Sequence, residues 1–382
     1  MSINDTPNPI SASFLRGGTS KGIFLDRSKL PADRSQWGFI FLGLMGSPDS
    51  VYGRQLNGMG GGVSSLSKIC VVGPASAKQK EHGIDVEYTF VQVGIRDTSI
   101  DYSGNCGNLS SMIGVFAVDE GICTLPSSGT HATIRSFNTN TQKVIDTTFP
   151  ISTSYPPSPL LDNPETTIAG VPGKASTIVL EFVNPAGART GKLLPTGSPV
   201  DELPILPSMT LRCSCIDATN PTVFVSQTEL AQFLPIAEYF QGTAPAVGET
   251  LERIRQAAAV KMGLDPSAQA QPKIAILREP HTEDDLAQGV DLVIHALSMG
   301  VLHKAVPMTV GLCAGVASNV ENTLAWEIVQ RSSIGREKRN MVRLRHPGGI
   351  VDVGAEFTED GDVASAKVVR TGRRLMKGVV WW

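Results

Sequence analysis

Excess charge is missing from this 382-residue chain: its 33 basic and 36 acidic residues nearly cancel. With no block of like charge, the composition argues against a nucleic-acid surface and against a polybasic membrane anchor. Long apolar runs are missing too. The longest, residues 37–45, falls far short of what a bilayer-spanning helix needs. Residues 1–25 lack the basic-then-apolar pattern of a secretion signal. The expectation is a soluble, cytoplasmic protein that handles a small molecule. Cysteine is sparse, with six at positions 70, 106, 123, 213, 215 and 313, which suits a reducing compartment. Cys213-Ser214-Cys215 has neither the two-residue spacer nor the second pair of a zinc site, so no metal is indicated.

Glycine is abundant, at 38 residues, and 25 prolines punctuate the chain, so many short strands and tight turns are expected. Strand patterns fall at residues 13–15, 22–25, 68–72, 86–93, 132–137, 143–149, 177–182, 211–216, 222–225, 273–277, 291–296, 342–345 and 349–356. Helices are fewer. Leu109, Met112, Ile113, Phe116 and Ala117 recur at helical spacing and predict one buried helix from Cys106 to Asp119, with Gly121 as its stop signal. Ser226 to Glu229 reads as a capping box, and Leu251, Ile254, Ala258 and Met262 form one helical stripe. Small and apolar residues from Thr309 to about Arg331 predict a second buried helix.

The order of these elements repeats, and the length makes two domains the default. Strands at 13–25 and 68–93, a buried helix from 106 and a hairpin at 132–149 are followed by strands at 211–225 and 273–296, a buried helix from 309 and strands at 342–356. The expectation is an α+β fold of two similar halves, 1–190 and 191–382, each a mixed sheet about a central helix, with an active-site cleft between them. Residues 184–202, rich in Pro, Gly and Ser, are the candidate linker. Coincidence in α+β order is the alternative. Trp381-Trp382 leaves two options open, packing against the first half or against a second subunit in a homodimer.

The most informative stretch is Ser103-Gly104-Asn105-Cys106-Gly107-Asn108-Leu109. It places a lone cysteine at a helix start, where unpaired backbone N–H groups favour an anion. There a thiol ionises more easily than a free one, and a carboxylate can dock beside it. The plain alternative is a small buried hydrophobe.

Several motifs carry a resemblance: Arg16-Gly17-Gly18-Thr19-Ser20-Lys21-Gly22, Gly60-Gly61-Gly62-Val63-Ser64-Ser65-Leu66-Ser67-Lys68, Ser-Gly-Asn-Cys-Gly-Asn at 103–108, Asp217-Ala218-Thr219-Asn220-Pro221, Ser298-Met299-Gly300, His303-Lys304-Ala305 and His346-Pro347. From Phe14 to about Met376 the chain resembles the PrpF family, which includes 2-methylaconitate isomerase, 4-oxalomesaconate tautomerase, methylitaconate isomerase and aconitate delta-isomerase. The resemblance implies a diaminopimelate epimerase-like fold, with two pseudo-symmetric halves each carrying a β-barrel-like sheet around a central helix. It also implies an isomerase that needs no cofactor and moves a carbon–carbon double bond, or its geometry, in unsaturated di- and tricarboxylates.

Such a shift requires a base, an acid and fixed positive partners for a dienolate. The resemblance gives the catalytic role to Cys106 and the second acid/base role to Lys68; read alone, Lys68 is a lysine at a strand start, usually solvated. Backbone N–H groups of Gly107 and Asn108 suit a carboxylate turning into an enolate. Thr19, Ser20, Lys21, Ser64, Ser65 and Asn105 are candidate carboxylate anchors, matched in the second half by His303, Lys304 and Thr309. Each has an ordinary alternative as a turn cap, a solvated lysine or a histidine satisfying a backbone carbonyl. Arg16 and Arg54 are further options, with structural carboxylates as their other partners.

The chain departs from the family pattern at Val310, where Thr-Gly is common, at Gly348, where serine is common, and at Asn57, where Ile-Asp-Gly is expected. Cys313 reads as core, which disfavours a two-cysteine epimerase or racemase of the same fold. A non-catalytic accessory protein that binds a polycarboxylate is the third reading.

Overall fold

Three neighbouring strands each bury a pair of alternate apolar residues in one cluster: Ile23 and Leu25, Ile69 and Val71, Val91 and Val93. The residues alternating with them, Lys68 among them, face the other side of the sheet. The computed structural model describes residues 2–126, 128–206, 209–269, 271–298, 300–333 and 341–382. They form two compact units, Met1–Glu181 with Val369–Trp382, and Phe182–Val368. The division falls ahead of residues 184–202, which lie wholly in the second unit.

In the first unit the strands are β1 (Ile10–Gly17), β2 (Ser20–Asp26), β3 (Lys68–Pro74), β4 (Val86–Val93), β5 (Ile100–Asp101), β6 (His131–Asn138), β7 (Lys143–Pro150), the small hairpin β8 (Thr166–Ile168) and β9 (Val171–Ala175), and most of β10 (Ile178–Val183). Its helices are α1 (Trp37–Met45), α2 (Ala77–Glu81), α3 (Gly107–Ser110) and α4 (Ile113–Asp119). The second unit holds β11 (Asp201–Leu206), β12 (Met209–Ala218), β13 (Asn220–Ser226), β14 (Lys273–Arg278), β15 (Leu292–Ser298), β16 (Val301–Leu302), β17 (Val342–His346), β18 (Gly349–Phe357) and most of β19 (Val363–Arg370). Its helices are α5 (Gln227–Leu230), α6 (Ile236–Phe240), α7 (Val247–Lys261), α8 (Glu283–Ala287), α9 (Met308–Ala317) and α10 (Leu324–Ser332). The chain then returns to the first unit, where β20 (Gly372–Val380) pairs antiparallel with β1.

The two units repeat one ladder. Along β1, β2, β3, β4, β6 and β7 the pairings run antiparallel, parallel, antiparallel, parallel, antiparallel. Along β12, β13, β14, β15, β17 and β18 they run in the same order. The mixed sheet and central helix of the expected α+β fold are therefore present in each unit, while the described pairings close no barrel. No helix among the described residues is long and apolar enough to cross a membrane.

Both buried helices depart from the single long helix their apolar spacing predicts. In the first unit the helix is interrupted at Ser111 and Met112: the Ser111 hydroxyl donates to Asn108 O at 2.7 Å, and Met112 leaves the helical region at ψ 0°. In the second, Val310 to Ala317 are buried throughout, but residues 318–323 separate α9 from α10. There Thr323 caps the new helix, accepting from Trp326 N at 3.1 Å. Capping also starts α5, where Ser226 accepts from Glu229 N at 3.4 Å.

In the first unit α1 covers one sheet face through Trp37, Ile40, Phe41 and Leu44. The other face receives α3 and α4, with Phe24 and Phe116 ring centroids 5.6 Å apart. Trp382 packs in the first unit, its indole donating to Pro7 O at 2.9 Å and its ring standing edge-on to Phe39. The hairpin of β1 and β2 lies unusually close to α3. A Cβ at Gly17 would stand 2.8 Å from Ser111 Oγ and closer still to Asn108 O, and one at Gly22 would stand 2.7 Å from Lys68 O. Gly17→Ala is therefore expected to destabilise the fold by about 1–3 kcal/mol. Gly378→Ala, where nothing lies within 4 Å of the added carbon, should be near neutral. Urea denaturation of the two variants against the parent checks the contrast.

Candidate active site

Period-two alternation assembles the site. On β2 it sets Ser20, Gly22 and Phe24 on the face opposite Ile23 and Leu25; on β3 it does the same for Lys68 and Cys70. Register brings the strands together, with Gly22 beside Lys68, and Lys68 beside Gln92. Tyr88, Phe90 and Gln92 complete this face from β4.

Lys68 is buried, and its ammonium donates to Gln92 Oε1 at 2.5 Å while standing 5.1 Å from the Phe90 ring centre. Gln92 is oriented in turn by Nε2, which donates to Ser67 O at 2.9 Å and Ser64 O at 3.2 Å. Among the described residues no carboxylate pairs with Lys68. The loop before it is held by buried Gln55, whose Oε1 accepts from Gly62 N and from the Ser67 hydroxyl.

Cys106 is the N-cap of α3, in extended conformation at φ −107°, ψ 96°, and its carbonyl accepts from Ser110 N at 2.9 Å. Its Sγ lies 3.8 Å from Ser20 Oγ. The two flanking asparagines divide their duties. Asn105 turns inward, its Oδ1 accepting from Tyr88 at 3.2 Å and its Nδ2 donating to Ser110 Oγ at 3.1 Å. Asn108 turns toward the hairpin, its Nδ2 donating to Thr19 Oγ1 at 3.1 Å and Ser20 Oγ at 3.5 Å. Its Oδ1 accepts from Arg370 Nε at 3.0 Å. The buried Cys70 thiol feels both centres: burial pushes it up, the charge of Cys106 adds to this, and Lys68 pulls it back.

The first unit thus brings together Cys106, Ser20, Thr19, Gly107 and Asn108, with Lys68 on the same sheet face. Gly107 and Asn108 open α3, so their N–H groups fall among those with no partner inside the helix. Ser64 is exposed and Ser65 half-buried on the turn preceding Lys68, and Ser64 contributes its carbonyl to Gln92. Lys21 is elsewhere. As the neighbour of Ser20 it points to the α1 face, where its ammonium lies 5.9 Å from the Phe14 ring centre. Asn105 has its carboxamide engaged inward, tying the turn to the Tyr88 and Ser110 hydroxyls. Among the described residues Arg16 meets no carboxylate: it donates to Gly18 O at 2.9 Å and Thr371 O at 3.1 Å.

In the second unit His303 Nδ1 accepts from Ala305 N at 3.0 Å, and Lys304 is exposed. Thr309 stands in the first turn of α9, its carbonyl accepting from the Thr219 hydroxyl at 2.8 Å and its own hydroxyl from Asn220 at 3.5 Å. Of the Ser298-Met299-Gly300 motif, Met299 lies outside the described residues. Val310 is buried, Asn57 is exposed, and a Cβ at Gly348 would stand 3.2 Å from Lys304 O and His346 Cε1.

The family described as PrpF protein matches residues 8–382 of the chain. The chain belongs to the PrpF family. The 3-methylitaconate isomerase of Eubacterium barkeri is 33% identical over 97% of each chain. The 2-methyl-aconitate isomerase of Shewanella oneidensis is 34% identical over 97% of this chain and 96% of its own. A crystal structure of methylitaconate-delta-isomerase superposes with a TM-score of 0.84 at 32% identity, covering 97% of this chain and 95% of that one.

Gln92 and Arg370 are side chains of this candidate site in the PrpF chain that sequence reasoning missed. Gln92 was within reach, because strand alternation and the Lys68 register place it opposite the lysine. Arg370 had no local signal, standing 262 positions beyond Asn108.

Cysteine chemistry separates these environments. Cys70, Cys213, Cys215 and Cys313 are buried, and burial followed by the nearby Asp85 pushes the half-buried Cys123 up to about 12. Brief treatment with iodoacetamide at neutral pH, followed by peptide mass mapping, should therefore find the label on Cys106 ahead of every other cysteine. Preferential labelling of Cys123 would contradict this.

Proposed function

We propose that the chain is an isomerase that moves a double bond, or changes its geometry, in an unsaturated di- or tricarboxylate such as aconitate, 2-methylaconitate or 4-oxalomesaconate, by proton transfer through Cys106 and Lys68. The observation that carries this reading is the placement of Lys68 and the Cys106 turn on one sheet face, each held by hydroxyl or carboxamide groups. The relatives named 3-methylitaconate isomerase and 2-methyl-aconitate isomerase support the substrate class.

The chemistry follows from the groups. A Cys106 thiolate takes a proton from the carbon next to the double bond; the C–H pair enters the conjugated system and a carboxylate becomes a dienolate. Backbone N–H groups of Gly107 and Asn108 suit the developing oxyanion, and the Lys68 ammonium counters its charge. Lys68 then returns a proton at the far carbon, and the double bond has shifted. A thiol and an amine remain, and a proton passing from one to the other through solvent restores the starting forms. With the roles reversed, the same pair runs the reaction backwards. A racemase with two cysteines finds no counterpart in the second unit, where Cys313 is fully buried, donates to Ile216 O at 3.7 Å and is pushed up to about 12 by burial.

Proton NMR in D₂O with trans-aconitate, cis-aconitate, 2-methylaconitate, 4-oxalomesaconate and 3-methylitaconate tests the proposal. A shifted or re-geometrised double bond is expected with at least one acid. Cys106→Ser and Lys68→Ala should each slow it by at least about 10²-fold, the usual scale for a lost acid or base. Undiminished turnover in Cys106→Ser would sink the mechanism.

A further inference from the structure

Arg370 ends β19 and returns to the first unit beside the Cys106 turn, where no carboxylate of the described residues pairs with it. Its Nη1 donates to Val369 O at 2.8 Å and its Nε to Asn108 Oδ1 at 3.0 Å. We infer that Arg370 is a positioning residue: by fixing the Asn108 carboxamide it hands the Ser20 hydroxyl to Cys106 Sγ as a hydrogen-bond donor. The inference rests on the reading in which Cys106 is the reacting thiol.

The argument is one of donors and acceptors. A guanidinium only donates, so the atom of Asn108 facing Arg370 has to be the carbonyl oxygen. That leaves Nδ2, which only donates, facing Thr19 Oγ1 and Ser20 Oγ. Ser20 is buried, and with one lone pair engaged by Asn108 its own O–H is available for the sulfur 3.8 Å away. When Cys106 is a thiol, S–H donates to Ser20; when it is a thiolate, the hydroxyl turns and donates to sulfur. Every bond from Arg370 to Cys106 then runs in one direction, and a chain of this kind ending on an anion favours the anion.

Three other features fit. Gly18, at φ +51°, makes the meeting sterically feasible, since a Cβ there would stand 2.8 Å from Asn108 Cγ and 3.2 Å from Arg370 Cδ. Burial lowers the guanidinium to about 10 and the charge of Cys106 raises it, so Arg370 stays a cation at neutral pH. The other titratable groups that sense Cys106 are Cys70 on β3 and Tyr88 on β4, both pushed up chiefly by burial, and Lys68 acts on Cys70. Neither Cys70 nor Tyr88 brings a positive charge; Arg370 and Lys68 do.

The test reads the thiol rather than turnover. Iodoacetamide labelling of Cys106, followed by mass mapping from pH 6 to 10, gives a profile for the parent, Arg370→Met, Arg370→Lys, Asn108→Leu and the double variant Arg370→Met/Asn108→Leu. Arg370→Met and Asn108→Leu should each move the profile up by about one pH unit, the scale of losing one close charge or hydrogen bond. Arg370→Lys should recover part of the shift. Because Arg370 acts through Asn108, the double variant should move no further than the larger single shift. Additive shifts, or an unmoved profile in a folded Asn108→Leu protein, would overturn the inference. Asn108→Leu carries the test where Arg370→Met fails to fold. A profile that moves while none of the five acids turns over would leave this inference standing and remove the proposed reaction. Cys106-dependent turnover with an unmoved profile would do the reverse.

Discussion

A side chain on Gly17, Gly18 or Gly22 would occupy space already filled by Asn108, Ser111, Arg370, Leu109 or the Lys68 carbonyl. The hairpin of β1 and β2 can therefore lie against the turn after Cys106 only because these three positions lack a Cβ, and Gly18 also needs its left-handed backbone. That close approach puts Ser20 and Thr19 within reach of Cys106 and Asn108. It also lets β2 pair with β3 where Lys68 begins. If the hairpin moved outward by one side-chain layer, the two proton-transfer candidates would lose their shared frame. The remaining packing, with α1 on one face and α4 on the other, holds the sheet that carries the hairpin.

The second unit repeats the scaffold and changes its chemistry. Lys273 takes the place in the ladder that Lys68 takes in the first unit, as the opening residue of the strand paired parallel to the hairpin. The hairpin turn again touches the start of the buried helix, through Thr219 and Asn220 on Thr309. The helix here follows Pro307 instead of a cysteine, and its own cysteine faces the core. One ladder thus appears twice, with an N-cap cysteine at the buried helix of the first copy and a proline at that of the second. Buried core positions tolerate such repetition because packing asks only for shape and apolarity, whereas a proton-transfer pair needs particular atoms at particular distances.

Much of this was legible from residues alone, for stated reasons. Strands whose apolar residues alternate or run continuously, such as 86–93 and 273–277, occur where their patterns place them, and so does the helical stripe of α7. β19 and β20 were not legible. β20 is exposed along most of its length and carries Arg373, Arg374 and Lys377, so no alternation marks it, and its partner β1 lies at the other end of the chain. Arg370 fell into that blind region. The break at Ser111 was hidden because apolar spacing continues through it, while the hydroxyl that competes for the Asn108 carbonyl leaves no trace in periodicity. Lys21 and Ser20 share a glycine-rich, donor-bearing stretch, but neighbours on a strand face opposite sides of the sheet.

The choice of partners around Lys68 and Cys106 has a consequence for the charge of the site. Lys68 could have been oriented by a carboxylate, and Arg370 could have met one; among the described residues each meets a carboxamide instead, Gln92 in one case and Asn108 in the other. A carboxylate would hold either cation more strongly, but it would also cancel the charge and repel an incoming polyanion. A carboxamide fixes geometry through one oxygen and leaves the positive charge uncancelled. On the proposed reading, with a substrate of two or three carboxylates and a dienolate gathering charge, uncancelled cations are worth more than tightly paired ones. On that reading the neighbour of Cys106 follows the same logic, because the Ser20 hydroxyl can accept from a thiol and donate to a thiolate.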